Sequence, residues 1–343
     1  MEGMTELIFD DIGSFPLQGG ISAEWLREAI PAHEPAAFDV IRSTFRQKLD
    51  AGVDVATYPQ FQDMNKQFLS ILNDPECIEG PFDVKTSCAK IVELEAIEKA
   101  AEEYQTETGI KPNVRVCVTG PLELYLQEFG GTSYDDILEL FGQSIDKFVT
   151  NAIDNASNFN VHTVSIDEPS IGINPQVMFD DDEIINALEK ASATASRKGV
   201  DVEIHLHSPL YYELPCRTSG INVIGVESAA NPTYLELIDK NVLEETDSFL
   251  RAGVARTDIF NLVAILNEKY STNAWQKPEM LQELVTDMET PSTILKRLEH
   301  AYGIFGDRVK YVGPDCGLGS WPTPEIASTL LGNVAEALDT FRN

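Results

Sequence analysis

Two histidines, His205 and His207, stand just past a short β-branched run, and within the same stretch, VEIHLHSPLYYELPCRTSGINVIGVE (202–227), follow a cysteine, Cys216, and a carboxylate, Glu227. Far downstream, YVGPDCGLGSW places Cys316 just beyond another apolar run. Imidazole, thiolate and carboxylate are donors that zinc accepts at about 2.0 to 2.3 Å. Residues this far apart can share one ion only if the fold gathers the ends of successive strands.

The surrounding pattern has that form. Short β-branched runs at 7–12, 53–58, 113–119, 162–167, 202–206, 221–226 and 309–312, with a weaker one at 253–260, read as strands. Helical spacing is expected at 34–49, 60–72, 87–104, 122–129, 134–155, 181–198, 234–250, 262–269, 281–305 and 324–341. Gly52, Pro59 and the Gly120-Pro121 pair punctuate these segments, and the acidic run DDDE suits the helix N-terminus near 181. Eight strands separated by helices predict one (β/α)₈ TIM barrel, α/β class, over residues 1–343, with an open doubly wound sheet as the alternative. In such a barrel the chemistry lies at the carboxyl ends of the strands. Ser14, Tyr58, Gln60, Asp167, Glu168, His205, His207, Glu227 and Cys316 all fall there.

With 56 acidic against 25 basic residues and a net charge of −31, the chain repels phosphate backbones and anionic membranes, so no nucleic acid and no membrane partner is expected. No apolar run approaches the length of about eighteen residues that spans a bilayer. The start, MEGMTELIFDDIGSF, lacks a secretory pattern, which predicts a cytoplasmic protein. Five widely spread cysteines do not suggest a disulfide framework, and Cys77, Cys88 and Cys117 are expected as packing residues or exposed thiols. His33, His162 and His300 read as structural.

IGSFP (12–16), IDEP (166–169), IHLH (204–207), GVES (225–228) and PDCGL (314–318), in this order along the chain, resemble the catalytic C-terminal domain of cobalamin-independent methionine synthase, here in a short, single-barrel form of the archaeal type. The resemblance implies a TIM barrel with zinc at its top that transfers a methyl group to the thiol of homocysteine. It implies His207, Glu227 and Cys316 as zinc ligands, Ile12, Gly13 and Ser14 in the loop that holds the amino acid, and Asp167 binding its ammonium. Glu168 is expected to cap or pair within its loop.

Three departures shape the expectation. Proline, Pro209, stands where the family carries a second ligating cysteine, so either Cys216 supplies that thiolate or the metal keeps three protein ligands and an open position. His205 is expected to support the ligands from behind. Gln60 stands about where the family has a glutamate near homocysteine. On the donor side, Gln127 and Phe260 occupy the places of a folate-site tryptophan and a proton-donating histidine, and the family's N-terminal half is missing from this chain.

These losses point to a donor that needs no proton, methylcobalamin or a methylated corrinoid protein. The alternatives are transfer to another thiol such as coenzyme M, a folate-dependent synthase, and a zinc-stabilised barrel without turnover. A porphyrin decarboxylase-type barrel would need basic groups at the strand ends, which are acidic here.

Overall fold

The structure, a computed structural model, describes residues 7–175 and 177–343. Eight parallel strands build the barrel: β1 (Ile8–Phe9), β2 (Val55–Thr57), β3 (Asn113–Thr119), β4 (Asn160–Asp167), β5 (Asp201–Leu206), β6 (Val223–Val226), β7 (Phe249–Ala255) and β8 (Val309–Pro314). Their order is β1-β8-β7-β6-β5-β4-β3-β2, each neighbour parallel. The seam between β1 and β2 is narrow. It is joined by a single parallel bridge between Asp10 and Val55 and by Asp54 N donating to the Phe9 carbonyl at 2.9 Å. Helices lie between the strands, so the chain is the (β/α)₈ TIM barrel that the alternation predicts.

Side chains alternate along each strand. Val116 and Val118 of β3, Val164 and Ile166 of β4 and Ile204 of β5 are buried apolar residues, each contributing roughly 1.5–3 kcal/mol by burial. The intervening positions are polar and meet inside the barrel. Arg115 Nη2 donates to Ser165 Oγ at 2.7 Å and to Glu203 Oε1 at 2.8 Å. Arg251 Nε donates to Asp10 Oδ1 at 2.8 Å, and Lys48 lies 2.7 Å from Asp11 Oδ2. Three buried cations thus face three buried carboxylates, which is the condition for keeping such charges out of water.

That charged interior includes the strand that sequence reading displaces. The weak strand expected at 253–260 lies at Phe249–Ala255, where Arg251 faces inward to Asp10. The helix expected at 234–250 divides into a 3₁₀ turn, Pro232–Leu237, and a short helix, Lys240–Glu245, where Asp239 accepts from Asn241 N as its cap. The helix expected from 87 starts at Glu93, and the one expected from 281 restarts at Pro291. A helix at Ala23–Ala29 and a hairpin of Ile78–Gly80 with Asp83–Val84 were not anticipated. The hairpin brings Cys77 and Cys88 together as a disulfide with Cα atoms 5.5 Å apart, which corrects the expectation of unpaired thiols. Cysteine counting missed it because only the hairpin turn makes the pair neighbours.

No helix among the described residues is long and apolar enough to cross a membrane.

Candidate metal centre and substrate cavity

The strand register sets out the site before any side chain is considered. Thr119, Asp167, His205 and Gly225 are successive Cα partners across β3, β4, β5 and β6. His207, two residues beyond His205, points the same way. Glu227 follows the end of β6 and Cys316 the end of β8.

His205, His207, Glu227 and Cys316 form a cluster in which one donor atom from each lies within 4.8 Å of the others. His205 Nε2 is 3.6 Å and His207 Nε2 is 3.8 Å from Glu227 Oε1. A tetrahedral ion with bonds of the usual length sets its donors ~3.3–3.8 Å apart. His205 is only 3% exposed, yet neither ring nitrogen has a hydrogen-bond partner among the described residues. A buried imidazole with both nitrogens orphaned costs stability unless something else satisfies them, so the residues present fit a metal ion. Burial opposes charge on both Cys316 and His205, but their mutual proximity overrides it, lowering the thiol and raising the imidazole.

The fourth donor of this cluster is His205, and Cys216 does not lie in it. The segment after β5 winds into a 3₁₀ turn, Pro209–Tyr211, and a helical turn, Glu213–Cys216. That winding carries Cys216 to the start of β7, where its buried thiol, raised by burial, meets Ser248 and Thr246. The loop's extent could not be read from spacing alone.

Beside the cluster opens a cavity of about 300 Å³, lined among others by Ile12, Ser14, Gln60, Thr119, Asp167, His207 and Cys316. Asp167 is held from behind: Ser165 Oγ donates to Oδ1 and the Cys117 thiol to Oδ2, both at 2.8 Å. Burial pushes the Cys117 thiol well up, so it serves as a donor. Glu168 turns away and accepts from Leu122 N and Glu123 N, at 2.8 and 2.9 Å, at the start of the helix Pro121–Phe129. Gly120 is required there, since a Cβ would lie 2.2 Å from Glu168 Oε1.

The loops of β1 and β8 are clasped. Leu318 N donates to the Ser14 carbonyl at 2.9 Å and Gly319 N to Ser14 Oγ at 3.3 Å. Gln60 N donates to the Gly13 carbonyl, which also takes Lys48 Nζ at 3.0 Å. Gln127 is exposed and bonds Glu123 at 3.1 Å, and Phe260 is 70% exposed against Trp275.

Sequence reading missed Asp315. Its carboxylate accepts from Ala229 N and Ala230 N, at 2.7 and 2.8 Å, and so ties the loop of Glu227 to the strand of Cys316. Asp315→Ala is expected to lower metal affinity about 10- to 100-fold without removing a ligand, as loss of supporting bonds commonly does. Competition with a chelator measures this, and unchanged affinity would deny Asp315 the bracing role.

Fold and site together define a (β/α)₈ barrel with a His₂/Glu/Cys cluster at its carboxyl mouth. No protein-family profile matches this sequence, and no curated protein matches it. Among solved structures it is similar to a B12-independent methionine synthase from Shewanella sp. W3-18-1 in complex with selenomethionine, with a TM-score of 0.63, 14% identity, and 99% of this chain and 98% of that one covered. It is also similar to a methyltransferase from Methanosarcina mazei, with a TM-score of 0.59, 12% identity, and 97% of this chain and 95% of that one covered. At such identities the likeness establishes the shared fold.

Proposed function

We propose that this chain is a zinc-dependent methyltransferase that methylates the thiol of homocysteine to give methionine. The observation that carries the reading is the convergence of His205, His207, Glu227 and Cys316 on one point beside a cavity that also presents Asp167. Zinc held there would lower the pKa of the acceptor thiol, ordinarily near 8.5, and so present a thiolate at neutral pH.

The chain's own residues do the rest. Asp167 accepts the substrate ammonium, with Cys117 and Ser165 fixing the carboxylate. The register seats Asp167 one strand, ~4.8 Å, from His205, a span that the short carbon chain between the nitrogen and sulfur of homocysteine can bridge. The loop of Ile12, Gly13 and Ser14, with Gln60 beneath it, walls the same cavity. The two structurally similar proteins named above, one solved with selenomethionine, support this reading.

A zinc-stabilised barrel without turnover is favoured by one observation: four protein donors leave no open position of the kind expected from three. Against it stands the cavity itself, onto which the 44% exposed side chain of His207 opens. X-ray absorption at zinc separates the two. The resting protein is expected to show a single sulfur, from Cys316, and homocysteine to add a second, with Asp167→Asn requiring at least ~10-fold more homocysteine for the same change. A spectrum unaltered at saturating homocysteine would assign the metal to stability alone.

A further inference from the structure

We propose that Thr119 is a substrate contact, its hydroxyl donating to the α-carboxylate of the acceptor amino acid while Asp167 takes the ammonium; this rests on the reading of Asp167 given above. Thr119 ends β3, lines the cavity and is the register partner of Asp167. It is 3% exposed, and its hydroxyl has no hydrogen-bond partner among the described residues. A buried hydroxyl without a partner destabilises the protein that carries it, and a valine would fill the same space without that cost.

Of the other polar groups lining the cavity, Gln60 Nε2 is likewise buried without a partner among the described residues and offers a second neutral donor, but it does not share the strand register of Asp167, whereas Ser14 and Glu123 are engaged. Ser14 Oγ accepts from Gly319 N, and the Glu123 carboxylate receives Asn65, Gln127 and Ser170. A zwitterion lodged on Asp167 brings a carboxylate that needs a neutral donor, and Thr119 stands beside that carboxylate's counter-group. Its position, two residues before Pro121 at a strand end, is the only trace of this role in the sequence.

The test is calorimetric titration of L-methionine and L-homocysteine into the zinc-loaded full chain, run beside thermal melts without ligand. Thr119→Val is expected to weaken both ligands roughly 10- to 100-fold, while its melting temperature equals or exceeds that of the parent. Thr119→Ser is expected to restore the affinity. Parental affinity in Thr119→Val, or a lowered melting temperature with affinity intact, overturns the contact and leaves the homocysteine reading standing. A parent protein that binds neither amino acid overturns both.

Discussion

Cys316→Ser is expected to yield a folded protein with almost no zinc and a methyl-transfer rate lower by about 10³-fold or more, the loss of several kcal/mol of charge stabilisation. His205→Ala is expected to do nearly the same. His205 is buried with both nitrogens unpartnered inside the donor cluster, so truncating it would remove one donor of the proposed site, whereas loss of a merely supporting histidine would cost far less. Cys216→Ser should keep about one zinc per chain, because the thiol sits against Ser248 and Thr246 just before the start of β7. Metal content per chain and rate are measured together for the three variants. Full zinc in Cys316→Ser, or its loss in Cys216→Ser, would redraw the ligand set.

Much of this was legible because barrels put chemistry where strands stop. IDEP, IHLH, GVES and PDCGL each read as an apolar run followed by polar residues, and the register converts those ends into a ring. Period two also placed His205 and His207 on one face, but it could not say that both Nε2 atoms would come within 4 Å of Glu227 Oε1, since that depends on how far each stands from β6. Cys216 misled for a related reason: nine residues beyond His207, its reach depends on whether the loop is extended or coiled, and Pro209–Cys216 is coiled. Arg115 and Arg251 look like surface residues by type. Their place in the barrel is set by Asp10 and Glu203, which are distant in sequence. Asp315 was hidden because its partners are backbone amides, which carry no side-chain signature.

The donor produces the second large effect. Folate methyl transfer must protonate a poor nitrogen leaving group, which requires a positioned acid. Phe260 has no proton to give and lies exposed against Trp275, with ring centroids 5.8 Å apart. Gln127 offers no aromatic face and is occupied with Glu123. Methylcobalamin asks for neither group. Were it the donor, its cobalt–carbon bond would break with the electron pair remaining on cobalt, the carbon would join the homocysteine sulfur, and the only proton released would be that of the thiol. A methylated corrinoid protein would deliver the same methyl group. Expected turnover is therefore all or nothing between donor classes, rather than a matter of degree.

The most direct test of the central claim is methionine formation by the purified, zinc-loaded, corrinoid-free protein, with homocysteine as acceptor and methylcobalamin or methyltetrahydrofolate supplied separately. Methionine is expected from methylcobalamin, none from methyltetrahydrofolate, and none from either in Cys316→Ser. Robust methionine formation from methyltetrahydrofolate alone would contradict the donor assignment, and absence of methionine with every donor, a methylated corrinoid protein included, would contradict the proposal that this barrel is a homocysteine methyltransferase.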